Sequence, residues 1–225
     1  MSDDLRTSSF ERTSSFLAAL AEQAGQAGLG TAKPSAAMPS ERNGKPLARL
    51  CDTLDAILEA GAKFPDASRS TFFARSMRIA LAEAAAAPDL LDAAQREGSA
   101  ECYRRHLLAA DPLGRYAIAA LVWQPGQTSP VHAHHTWCGY AVVEGQLSET
   151  IYEWNDVQDC ASPLRSQARK RGAVSFVGSG RGAIHRLGNN SNAPAVSLHI
   201  YGVEGARIGT DVNDIVRVAA PVALV

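Results

Sequence analysis

Neither sign of charge dominates this chain: 22 Lys and Arg stand against 23 Asp and Glu, for a formal net charge of -1. Without a basic excess it has little with which to neutralise a phosphate backbone, so no nucleic-acid partner is expected. No apolar run is long enough to cross a bilayer, and Met1-Ser2-Asp3-Asp4 lacks the basic start and apolar stretch of a signal peptide. No membrane association and a cytoplasmic location are therefore expected. The cysteines number only 4, and Cys51, Cys102, Cys138 and Cys160 show no CxxC spacing. That excludes a disulfide framework and a zinc ribbon. What remains is 46% hydrophobic and 20% charged, enough apolar material for one well-packed core.

Residues 1–45 are rich in Ser, Ala and Gly and offer few large side chains to bury, which predicts a flexible N-terminal extension with a short helix near Phe16 to Gln23. Residues 46–225 are expected to form a single domain, helical over 46–110 and a β-barrel over 111–225. In the helical part, Leu47, Leu50, Leu54, Ile57 and Leu58 recur at helical spacing before Gly61. Further helices are expected over Ser70 to Ala86, ended by Pro88, and over Leu90 to Gln95. Asp111-Pro112-Leu113-Gly114 then signals a turn. Short β segments follow at Tyr116 to Trp123, Gly139 to Val143, Leu147 to Trp154, Gly172 to Val177, Ala195 to Tyr201 and Ile215 to Ala219, separated by Gly, Pro and Asn clusters. Strands at such intervals belong to a sandwich or a jelly-roll barrel.

Five of the six histidines fall between positions 132 and 199. In a strand, alternate side chains share a face, so His132-Ala133-His134 presents two imidazoles to one interior. An isolated HxH pair is as well explained by surface or hydrogen-bonded core histidines. The flanking residues narrow this: Gly126, His132-x-His134 and Gly145 resemble the first motif of the cupin family in register. Gly172, His185 and Asn189 resemble the second more loosely, with the usual Pro absent. The resemblance makes His185 a third metal ligand and implies a mainly β, cupin-type barrel preceded by helices. Cys138 occupies the place where cupins usually carry a glutamate. Three neutral nitrogen donors leave a ferrous site short of the carboxylate that the usual two-histidine arrangement supplies, a charge that a thiolate substrate could provide. A degenerate cupin holding zinc, or no metal, fits the same residues.

A narrower resemblance, to the type I cysteine dioxygenases, rests on His132-Ala-His134, Cys138, the stretch Glu144-Gly145-Gln146-Leu147-Ser148-Glu149-Thr150-Ile151-Tyr152-Glu153-Trp154, His185-Arg186, and Ser197-Leu198-His199-Ile200-Tyr201. It runs from about Tyr103 to Tyr201. It implies an Fe(II) enzyme that adds both atoms of O2 to the sulfur of a small thiol carboxylic acid. L-Cysteine, giving cysteine sulfinic acid, is the first candidate, with 3-mercaptopropionate and mercaptosuccinate as alternatives. By the same resemblance Ser197, His199 and Tyr201 match an outer hydrogen-bonded series, and Arg105 of Tyr103-Arg104-Arg105 is placed to grip the substrate carboxylate, with Arg104 and Arg115 as alternatives. Mammalian-type members join a cysteine to this tyrosine by a thioether, which makes Cys138 and Tyr201 a candidate crosslink; the segment between His134 and Cys138 is one residue shorter here. His135 and Trp137 are expected to shape the pocket wall. Two other readings stay open: a non-catalytic cupin that binds a small ligand, and a zinc or nickel cupin with Cys138 as a fourth ligand.

Overall fold

The computed structural model describes residues 46–64 and 66–219; the extension expected over 1–45, with its helix near Phe16 to Gln23, lies outside them. Helix α1 spans Pro46–Gly61 and buries Leu50, Leu54 and Ile57, the apolar row that the spacing predicts. Helix α2, Thr71–Ala86, opens at Ser70, whose hydroxyl accepts the Phe73 amide hydrogen at 3.1 Å, and it stops before Pro88. Its buried row, Phe73, Met77, Ala80, Leu81 and Ala84, faces the sheet. The helix expected over Leu90 to Gln95 is instead a set of turns with a 3-10 turn at Ala94–Arg96. Asp92 and Gln95 there exchange reciprocal side-chain to backbone hydrogen bonds at 2.9 and 3.0 Å. This is a capping box that closes one turn and goes no further.

Ten strands follow: β1 Arg104–Ala110, β2 Ala117–Trp123, β3 His132–His134, β4 Cys138–Glu144, β5 Gln146–Asn155, β6 Cys160–Lys170, β7 Val174–Val177, β8 Gly180–Gly188, β9 Ala195–Tyr201 and β10 Asn213–Ile215. They form two five-stranded sheets, ordered β1-β2-β9-β4-β7 and β10-β3-β8-β5-β6, with every strand pairing antiparallel. This is the mainly β, cupin-type double-stranded barrel with preceding helices that the sequence predicts. Arg104–Ala110, counted by sequence with the helical part, is an edge strand of the first sheet. The final segment expected over Ile215 to Ala219 forms its strand two residues earlier, and Val218 makes only an isolated bridge to Ala161.

Strands β2 and β9 are buried along their whole length because both faces of the first sheet are covered. Ile118, Ala120, Val122, Val196, Leu198 and Ile200 pack toward the helices. Their alternates Ala117, Ala119, Leu121, Trp123, Ala195 and Tyr201 pack inside the barrel. The two-residue period therefore sends Ser197, His199 and Tyr201 together into the interior. The motif glycines Gly126, Gly145 and Gly172 all have positive φ. At Gly145, between β4 and β5, a Cβ would also lie 2.8 Å from the Pro194 carbonyl oxygen, so glycine alone allows the hairpin to close against the start of β9.

Candidate metal centre

His132 and His134 come from β3 and His185 from β8, where His185 stands opposite His132 in register. A register shift between His132 and His134 bends the short strand. One ligand nitrogen from each of the three lies within 4.8 Å of the others, and all three residues are buried. Among the described residues the group contains neither a carboxylate nor a cysteine. Cys138 therefore stands apart from it.

The hydrogen bonds set the tautomers. His132 Nδ1 donates to the Pro130 carbonyl at 2.9 Å and His185 Nδ1 to Glu149 Oε1 at 2.9 Å. Each leaves its Nε2 lone pair free. His134 Nδ1 is buried without a hydrogen-bond partner. Burial, reinforced by the neighbouring imidazoles, pushes His132 down to about 3 and His134 down to about 2. Convergent, buried imidazoles whose far nitrogens are held by hydrogen bonds or left without a partner are the donor set that a transition-metal ion needs, so the residues present fit such an ion.

Behind His185 sits a carboxylate to which sequence reasoning gave no role. Burial pushes the Glu149 carboxyl up, but hydrogen bonds from His185 and Gln167 and the Arg169 charge outweigh it and hold it below the usual carboxylate range. Gln167 Nε2 donates to Glu149 at 2.9 Å, and the Arg169 guanidinium lies 3.5 Å away and 5.5 Å over the Tyr140 ring. The clue in the sequence is a charged residue two positions after Leu147, on the inward face of β5.

A second layer runs up β9. Ser197 Oγ lies 2.8 Å from His199 Nε2, and His199 Nδ1 lies 3.1 Å from the Tyr201 hydroxyl. Sequence reasoning stopped at Ser197, but Trp123 Nε1 donates to the serine oxygen at 2.9 Å. Burial holds His199 well below its ordinary pKa, with Arg105 adding to the effect, and pushes the Tyr201 phenol up.

A narrow cavity of about 20 Å³ is lined by the three histidines, Tyr201, Cys138 and Arg105 among others. Arg105, Tyr103 and Asn213 also line a wider cavity of about 520 Å³. Arg105 Nη1 donates to the Ile208 carbonyl at 3.0 Å, while its Nε is buried with no partner. The alternatives for its role point elsewhere: Arg104 lies 3.6 Å from Glu97, and Arg115 is clasped by Asp111 and Asp55. Two expectations are corrected. His135 is exposed, and Trp137 packs edge-on against Phe73 on the helix side, because β3 ends at His134 and the chain turns before β4. Cys138 and Tyr201 face each other in register on β4 and β9.

Fold and centre together define a cupin barrel with an interior three-histidine group able to hold a metal ion. The family model for cysteine dioxygenase type I matches residues 98–204. Cysteine dioxygenase type 1 of Danio rerio is 32% identical over 92 residues, 39% of this chain and 45% of the relative. The Rattus norvegicus protein of the same name is 31% identical over 91 residues, again 39% and 45%. Over residues 98–204 the chain is thus similar to the cysteine dioxygenase type I family. Its match spans less than half the length of these curated relatives. Among solved structures, the TT1209 protein of Thermus thermophilus is 20% identical with a TM-score of 0.40, covering 50% of this chain and 95% of that one.

Proposed function

We propose that this chain is an Fe(II) thiol dioxygenase that converts a small thiol carboxylic acid, L-cysteine first, into its sulfinic acid. The observation that carries the reading is the set of three buried, converging imidazoles with no anionic member, beside a cavity that also holds an underused guanidinium and a buried phenol. The reaction balances without a further reductant: RSH and O2 give RSO2H, the sulfur losing the four electrons that dioxygen gains. Bound iron would supply a Lewis-acidic, redox-active meeting point for thiolate and dioxygen. His132, His134 and His185 would hold it.

The remaining roles belong to side chains. Arg105 orients the substrate carboxylate through its fork of N–H donors. Tyr201, set in place by His199 and Ser197, gives a hydrogen bond to the substrate or to the oxygen side of the site. Cys138 and Tyr201 form a thioether, the sulfur replacing a ring hydrogen while O2 accepts the two electrons and two protons as hydrogen peroxide. The register pairing of the two residues supports that bond, and an intact mass two hydrogens short tests it.

Metal analysis of the purified chain, with oxygen uptake measured on cysteine, 3-mercaptopropionate and mercaptosuccinate and the sulfinate identified by mass, decides the reading. Iron with stoichiometric oxygen consumption is expected. Zinc as the only metal, with no thiol-dependent uptake, would sink it in favour of a zinc cupin or a ligand-binding barrel. His185→Ala is expected to lose both iron retention and oxygen uptake.

A further inference from the structure

We propose that Trp123 fixes the direction of the Ser197–His199–Tyr201 series, holding His199 as its Nδ1–H tautomer so that Tyr201 donates its hydroxyl hydrogen into the cavity. The argument starts from an asymmetry of chemistry: an indole N–H can only donate, whereas a hydroxyl and a neutral imidazole can each do either. Trp123 Nε1 lies 2.9 Å from Ser197 Oγ, so the serine oxygen accepts there. Its other partner is His199 Nε2 at 2.8 Å.

Two arrangements are open to that second contact. If His199 carried its hydrogen on Nε2, two donors would converge on the serine oxygen. The serine hydroxyl hydrogen would then be left in a fully buried place with no acceptor among the described residues. A buried unpaired donor disfavours that arrangement by roughly ten- to a hundred-fold. In the other arrangement Ser197 donates to Nε2, and the one hydrogen left without a protein acceptor is that of the Tyr201 hydroxyl, which faces the cavity and not closed core. A neutral imidazole has one N–H, so it lies on Nδ1 and points at the Tyr201 oxygen 3.1 Å away. Burial beside the Arg105 charge keeps the ring neutral.

The consequence falls on Tyr201. Its oxygen accepts from His199, so its own hydrogen turns away from β9 toward the cavity it shares with Arg105 and the three histidines. His199 then has no lone pair facing the phenol and cannot take its proton. The series therefore aims a donor at the site and does not withdraw a proton from it.

Trp123 is built to hold this setting. Its ring is almost fully buried and stacks on Tyr103 at 4.4 Å and 28°. Its carbonyl accepts a hydrogen bond from Asn189 Nδ2 at 2.9 Å, and that amide also ties the turn leading into β9 through the Ala193 carbonyl at 2.8 Å. Trp123 touches no reacting atom in this scheme and is a positioning residue.

The proposal draws on the dioxygenase reading only for the meaning of the donor, and its test needs no turnover. Two-bond proton–nitrogen correlation spectra of the full chain, labelled with nitrogen-15 histidine and loaded with Zn(II), report the tautomer of His199, assigned by His199→Gln. The expected result at neutral pH is a protonated Nδ1 and a pyridine-like Nε2. In Trp123→Phe the space vacated by the indole N–H admits a water that can accept from Ser197, so the population of the Nε2–H form rises by about ten-fold or more, with zinc affinity unchanged. An Nε2–H form in the wild-type chain overturns the proposal, as does an unchanged tautomer in folded Trp123→Phe. Should that variant not fold, Ser197→Ala is expected to shift the same population, and no shift there counts against the proposal equally. Oxygen uptake on the thiol panel fails or succeeds separately, so a wrong dioxygenase reading is not mistaken for a wrong tautomer.

Discussion

Arg105 occupies the boundary between the narrow cavity at the histidines and the wider one outside it, and only part of its hydrogen-bonding capacity is used by the protein. A guanidinium with a buried, unpartnered N–H is poorly satisfied until an anion arrives, and a planar carboxylate fits its fork. Arg105→Ala is therefore expected to raise KM for the thiol acid by roughly 10- to 100-fold, the equivalent of about 1.5–3 kcal/mol for a charged hydrogen bond. The effect on kcat should be smaller, because the histidines and Tyr201 remain. Arg105→Lys should recover little of the loss, since an ammonium is a point charge without the fork. Oxygen uptake against thiol concentration measures both constants, and an unchanged KM would move the carboxylate site away from Arg105.

At the scale of the element, β5 does more than wall the barrel: it carries Glu149 to the back of His185. A carboxylate accepting from the ligand's far nitrogen raises the donor strength of the near one and fixes the ring plane. The charge absent from the histidine group is thus present one hydrogen bond away. Glu149→Gln keeps the shape and removes the charge, and it should weaken Zn(II) or Fe(II) affinity about 10- to 100-fold; a competition titration with a coloured chelator reads this directly, and equal affinity would reduce Glu149 to a packing residue. Much of this architecture was legible because strand alternation is a strong signal. His132-x-His134 and Ser197-x-His199-x-Tyr201 declare their shared faces in sequence, and the apolar run of β2 declares a strand buried on both sides. What stayed illegible has physical reasons. Strand β6, with Arg165, Ser166 and Lys170 exposed, lies at a sheet edge largely open to water and so lacks an apolar pattern. Strand β8 begins Gly180-Arg181-Gly182, which reads as loop. Trp123 and Glu149 act through partners 74 and 36 residues away, and single-sequence spacing cannot express such pairings.

For the whole molecule, the question is what fixes the helices to the barrel whose sheet they cover. Apolar packing of Phe73, Met77 and Leu81 on the first sheet supplies most of the contact, but that packing is nondirectional. Direction comes from a clasp at the β1–β2 turn. Asp111, its side chain 1% exposed, accepts from the Arg115 backbone amide at 2.9 Å and from the Arg115 guanidinium at 2.6 Å, and the same guanidinium reaches Asp55 on α1. Arg115 holds the Asp111 carboxyl below its ordinary value of 3.8, chiefly by this side-chain hydrogen bond. Because the folded pKa is depressed, the unfolded chain binds more protons as the pH falls through this window. The contribution is complete above about 3.8 and is lost as the pH drops through the lower folded value. Asp111→Asn should therefore cost ~1–3 kcal/mol in urea unfolding at neutral pH, and it should flatten the acid limb of the stability curve below that point. A variant as stable as the parent at neutral pH, with the same acid limb, would show that α1 is held without this clasp, which then merely shapes the turn.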